Sequence, residues 1–397
     1  MRVGTLVVLC VTVSTTMFGC RRRDHAPITA TAEPTQSPRD ADVETPAVSG
    51  PLRACSLTGR ITREYVVPAG CSTDVDDVEI DANAVLTIEA GATLRFARDA
   101  ALTVNFGATL RVAGSAASPT RLTGRSSVVH PGEWAGIVSS GSLALEHAII
   151  EGAGAVRQHS HAAVTHGIGH ASLRHVTIRK SSGAGISAPS LDAFDAFEDV
   201  RISDSRPSAN LSPGAVGSLG SGTFDSAIET LGRVERAVSW RAIGAPIEIT
   251  PCDSGVVGVE IDSADGRAVL AIAPGVQVRA GPHCAIGVDN GRLEANGVSF
   301  SAREAALGWA GIGISTRSTL SIEGATIEGV RGVGAALRID GRPTAPRVVL
   351  RNTVLRRNAV YAIEVFPGGC IPSDAKALLA AGVRSEGWPL CNPHSSH

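Results

Sequence analysis

Two groups of residues in this chain carry side chains of the types that do chemistry. Asp74, Asp76, Asp77, Glu79 and Asp81 lie within one short stretch, CSTDVDDVEID. Carboxylates so close together could hold Ca²⁺, which takes about six to eight oxygen ligands. The stretch lacks the Asp-x-Asp-x-Asp-Gly loop of an EF-hand, and the other reading is a solvated row on the outer face of a strand. His147, His159, His161, His166, His170 and His175 form the densest imidazole group. Imidazole binds transition metals well, but several ligands must converge in space, and no carboxylate joins these histidines at helical spacing. Asp74, Asp76, Asp77, His159, His161, His166 and His170 are therefore weak metal candidates, and the expectation is no metal. No Gly-x-Ser-x-Gly, Walker or dinucleotide-binding motif occurs, so neither a cofactor nor a catalytic residue is expected.

The elements that must position these side chains are legible in residues 86 to 112, LTIEAGATLRFARDAALTVNFGATLRV. Apolar pairs recur at Leu86 and Ile88, Leu94 and Phe96, Leu102 and Val104, Leu110 and Val112, eight residues apart each time. Alternation within each pair is the mark of a strand with one buried face. Gly91, Gly107 or polar residues fill the joints where the chain can turn, and no Asn-Gly or Asp-Gly marks a tight hairpin. Three such strands make one triangular coil of about 24 residues, and coils stack at about 4.8 Å. The reading is all-β: a right-handed parallel β-helix of roughly a dozen coils.

Composition agrees. The 397 residues include 44 Gly, and aromatics make up only 4%, so Val, Ile, Leu and Ala must build the core. A net charge of −2 leaves no electrostatic footprint for nucleic acid. Residues 374 to 382 are the one short helical pattern.

The chain is duplicated. CSTDVDDVEID (71–81) matches CDSGVVGVEID (252–262), LTIEAGATLRF (86–96) matches LAIAPGVQVRA (270–280), Trp134–Ile137 matches Trp309–Ile312, and LEHAIIEG (145–152) matches IEGATIEG (322–329). The acids of the first stretch thin out in the second copy, and the histidines have no duplicate. A second pattern, L-x-His147-A-x-I, L-x-His175-V-x-I, F-x-Asp199-V-x-I, I-x-Gly324-A-x-I and L-x-Asn352-T-x-L, places His, Asp, Gly or Asn at one position. These types tolerate left-handed backbone angles. The expectation is a corner between strands, with the five residues stacked in one structural column. The duplicated Trp134 and Trp309 are expected to be packed, with their N–H groups bonded.

The pieces LTIEAGATLRF, EWAGI and GWAGI, and LEHAIIEG resemble bacterial surface proteins with right-handed parallel β-helix repeats, over about residues 60 to 370. The resemblance implies the pectin-lyase-like solenoid fold. It implies no single activity, because such solenoids host lyases, hydrolases, epimerases and non-catalytic adhesins. Pectin-type hydrolases carry Asn-x-Asp, a paired Asp, Gly-His-Gly and Arg-x-Lys in that order. Here Asp76-Asp77 comes first, Thr165-His166-Gly167 stands for the histidine motif, and Arg179-Lys180 has no residue between. Order and spacing both differ.

Residues 1–20 read as a signal peptide, with Arg2 before a short apolar run. Its end, Met17-Phe18-Gly19-Cys20, resembles a bacterial lipobox, which implies a lipid on Cys20; an ordinary secretory signal is the other reading. Residues 21–51, rich in Pro, Thr and charge, read as a disordered tether. Six further cysteines in an exported chain favour disulfides, and sequence order suggests Cys55–Cys71, Cys252–Cys284 and Cys370–Cys391. The expected organisation is a first β-helix module over 52–205, irregular connecting coils over 206–250, a second module over 251–370, and a C-terminal cap over 371–397. The functional expectation is a membrane-anchored lipoprotein, at the outer membrane or cell surface, with a structural, adhesive or binding role. Its partners would be surface polysaccharide or other surface proteins, not nucleic acid. The alternative is a polysaccharide lyase or glycoside hydrolase with its site on one face of the helix.

Overall fold

Inward apolar pairs on successive strands wind the chain into a parallel β-solenoid. The computed structural model describes residues 51–157, 161–252, 257–331, 335–340, 346–358, 361–366, 372–386 and 390. Residues 1–50, with the signal, Cys20 and the tether, lie outside the described residues, as do Cys370 and Cys391.

Each turn leaves a long sheet of 14 strands, crosses a first flank face, then a second, and returns. In the N-terminal half the flanks are two sheets of seven strands; in the C-terminal half they are sheets of six and five. About 11 turns carry strands on all three faces. The core is a set of ladders. In the long sheet Leu102, Ile137, Val164 and Ile186 pair in register and are all buried. A ladder of this kind excludes water along the whole axis, and burying each such side chain contributes about 1.5–3 kcal/mol. Trp134 stacks on Phe96 with ring centroids 4.2 Å apart. Its indole N–H donates to the Glu151 carbonyl at 3.0 Å, and that of Trp309 donates to the Glu328 carbonyl at 2.8 Å.

The stretch read as irregular connecting coils, 206–250, carries strands of the solenoid. It holds the strands Ala209–Leu211, Ile228–Thr230 and Ile247–Ile249 of the long sheet. A short helix, α1 (Pro213–Gly217), takes the place of one flank strand; Ser212 caps it by accepting from the Ala215 N–H at 3.0 Å, and Trp240 donates to the Pro213 carbonyl at 3.0 Å. At the far end lies α2 (Pro372–Ala380), followed by the last strand of the long sheet, Arg384–Glu386.

α1 marks a seam where the repeat slips by one face. In the first copy the Trp134 segment leads into the long sheet at Gly136–Ser139, while the equivalent Trp309 segment leads into a flank at Ile312–Ile314. Conversely Thr326–Glu328 lies in the long sheet, while its equivalent Ala148–Glu151 lies in a flank. The two copies therefore present equivalent surfaces on different faces of the solenoid.

This slip corrects the expectation of one turn column. His147, His175 and Asp199 sit between the first and second flanks, with φ of 45°, 54° and 47°. Gly324 and Asn352, with φ of 59° and 46°, sit between a flank and the long sheet. All five backbones are left-handed, but they form two columns. In the first, the His147 and His175 rings stack with centroids 4.4 Å apart, and His175 Nδ1 lies 3.4 Å from Asp199 Oδ2. The disulfides Cys55–Cys71 and Cys252–Cys284 are both present, closing spans of 16 and 32 residues.

Candidate functional site

A solenoid strand points every second side chain outward, and parallel pairing stacks those side chains into a row. On the long sheet the central outward row runs Arg60, Glu79, Thr103, Val138, Thr165 through successive rungs. These residues floor a groove of about 690 Å³. One wall is Asp77 and Arg157, which form an ion pair; the other includes Asn105, whose amide donates to Glu79 Oε1 at 2.8 Å. The Arg157 hydrogen bond holds the Asp77 carboxyl below the usual range, assisted by the Ala101 N–H against partial burial. At the far end Arg60 bonds Asp81 at 2.7 Å and lies 3.7 Å from Glu79.

A second groove, of about 440 Å³, lies on a flank of the C-terminal half, along the outward row Glu260, Gly287, Gly313, Arg338 and Glu364. It is the repeat equivalent of the first. Glu79 corresponds to Glu260 and Val138 to Gly313. Arg233 meets Glu260 at 2.8 Å and Asp262 at 3.4 Å, as Arg60 meets Glu79 and Asp81.

The residues singled out from sequence do not converge. Asp74 pairs with Arg95 at 2.7 Å, Asp76 with Arg125 at 2.7 Å, and of the five acids Asp77 and Glu79 line the first groove. Among the histidines, His159 lies outside the described residues, His161 is exposed, and His170 is exposed with Nδ1 3.1 Å from Asp195. His166 points into the core, where neither ring nitrogen has a partner of hydrogen-bond geometry. Burial lowers its pKa, outweighing the Gly169 backbone and Asp195. No group of three or more His, Cys, Asp or Glu side chains comes together among the described residues.

Sequence reasoning missed two acids. Glu229 and Glu248 pair directly on adjacent strands of the long sheet, further along the same outward row. Glu248 bonds Arg303 at 3.2 Å and lies 3.9 Å from Arg279; Arg303 also reaches Glu229 at 3.5 Å. Burial raises the Glu229 pKa and the Glu248 charge adds to it, against the pull of Arg303. Two carboxylates in unlike environments are the raw material of acid–base chemistry. The signal was present as two Ile-Glu strands, AIET and PIEIT, which belong to neither copy of the repeat.

Comparison with protein-family models, with curated proteins and with solved structures finds no match for the chain.

Proposed function

We propose that this chain is a lipid-anchored, cell-surface β-solenoid that binds an extended glycan along the first groove without cleaving it. The observation that carries the reading is the stepped floor of Thr103, Val138 and Thr165, a valine between two threonines, at successive rungs between walls of fixed donors and acceptors. The rung spacing of about 4.8 Å is close to the advance of one sugar along an extended glycan. Arg60, Arg157, Glu79 and Asp77 are already engaged with one another, so they present hydrogen bonds rather than a free nucleophile or base. Binding through hydrogen bonds and shape alone is weak per site, and a surface anchor through Cys20 would multiply it. The lipid is tested by intact mass of membrane-extracted protein: a mature chain that begins elsewhere removes the anchor from the reading.

The test of the groove is retention of the full chain on neutral and acidic polysaccharides, with Val138→Arg placed on the groove floor. Retention that falls at least tenfold in the variant supports the reading; equal retention rejects it. One observation favours a second reading, a hydrolase: the Glu229–Glu248 couple. New reducing ends that disappear in Glu229→Gln would establish it.

A further inference from the structure

The second groove keeps the position of the first but changes its lining. Thr103 is replaced by Gly287, Val138 by Gly313, and Asn105 by Asp289, while Arg338 stands at the rung of Thr165. Gly313 is the informative change. Its φ lies outside the left-handed region, and a Cβ added there would meet nothing within 4 Å. Neither a turn nor close packing calls for glycine, and a glycine in mid-strand weakens the strand. What it leaves is an open notch between the ion pairs Arg233–Glu260 and Arg338–Glu364, with exposed Val257 and Phe366 at the rim.

The charge also changes. The first groove sets Arg60 and Arg157 against Asp77 and Glu79. In the second, Arg233 and Arg338 answer Glu260 and Glu364, but the lining adds two more acids, Asp340 and Asp289, of which Asp289 is exposed and met by the Ser315 hydroxyl rather than by a cation. The lining therefore complements a positive charge. A peptide strand is a poor occupant, because the notch lies on a sheet face whose backbone groups are already paired, and strand addition needs a free edge. A flat sugar ring can lie on the glycine floor, with the Phe366 ring available to its apolar face.

Resting on the glycan-binding reading, we propose that the second groove is a separate subsite for a glycan whose sugars carry free, protonated amino groups, with Gly313 admitting the ring and Asp289 receiving the ammonium. The test is calorimetry of the full chain at pH 6 with a glucosamine hexamer and an N-acetylglucosamine hexamer. The free-amine oligomer should bind at least tenfold more tightly. Gly313→Val, which restores the first groove's side chain into open space, should lose that binding at least tenfold with an unchanged melting temperature. Asp289→Asn should lose it too, and Val138→Arg should not. Equal binding of the two oligomers, undiminished binding by Gly313→Val, or equally tight binding of a lysine hexamer would each overturn the assignment. If the neutral glycans ignore Val138→Arg while the amino oligomer still depends on Gly313, the first-groove reading fails and this one stands.

Discussion

The same local device appears twice in this molecule, in two different settings. In each copy a buried tryptophan donates to the carbonyl of a glutamate whose side chain takes an arginine from the next turn. Arg179 Nε bonds Glu151 at 2.8 Å, and Arg356 Nε bonds Glu328 at 2.7 Å. The acids of the first stretch thin out in the second copy, but this glutamate is one the copy kept. Yet Glu151 is only 3% exposed and takes a second arginine, Arg121, at close range, whereas Glu328 is 21% exposed, Ser299 stands where Arg121 would be, and its second arginine, the exposed Arg357, lies 4.0 Å away. Burial would raise the Glu151 pKa, but Arg179 and Arg121 outweigh it and hold it low. The comparison teaches that the repeat copies a coil, while each coil's electrostatics depend on its neighbours.

Removing both arginines of the first copy tests this most strongly. Arg121→Ala with Arg179→Ala strands a buried carboxylate and should cost about 3–5 kcal/mol in urea unfolding. The equivalent Arg356→Ala, beside a more exposed glutamate, should cost about 1 kcal/mol or less. Similar losses in both copies would break the contrast.

The tryptophans should behave alike. Trp134→Phe and Trp309→Phe each deprive a glutamate carbonyl of its indole donor, and each should cost about 1–3 kcal/mol. Unequal losses would mean the two devices are not equivalent.

The interiors also differ. The first copy stacks Val104, Ser139 and His166 inward where the second stacks Val288, Ile314 and Ile339. The folded state holds His166 neutral below its ordinary value of 6.5, whereas the unfolded chain takes up a proton there. Its contribution is therefore complete above pH 6.5 and declines as pH falls, by at most about 1.4 kcal/mol per pH unit. Melting curves between pH 7.5 and 5 should show this decline, and His166→Ile, the residue type of the second copy, should flatten it.

The corners give the smallest effect. His175→Asn should be neutral, because asparagine holds the same left-handed backbone at Asn352, while His175→Val should cost about 1 kcal/mol. A neutral valine would show that the corner, not the residue, carries the conformation.

Much of the fold was legible because it is local. Alternation at Leu86, Ile88, Leu94 and Phe96 states which side chains go in, and glycine or His, Asp and Asn state where the chain bends. Little of the candidate site was legible, because its residues meet across rungs. Thr103 and Val138 are neighbours 35 residues apart, while Glu229 and Glu248 are neighbours only 19 apart. A reader of the sequence who assumes one coil length assigns the wrong partners.

The residues alone determined the strand, its inward face and its corner. Only the winding decided which face each strand occupies, since a solenoid adds up every loop that precedes a rung. One short helix at Pro213–Gly217 in place of a strand marks the seam, beyond which the second copy lies one face on. The two grooves, which one repeat would have laid in line, look out in different directions because that sum is not a local property.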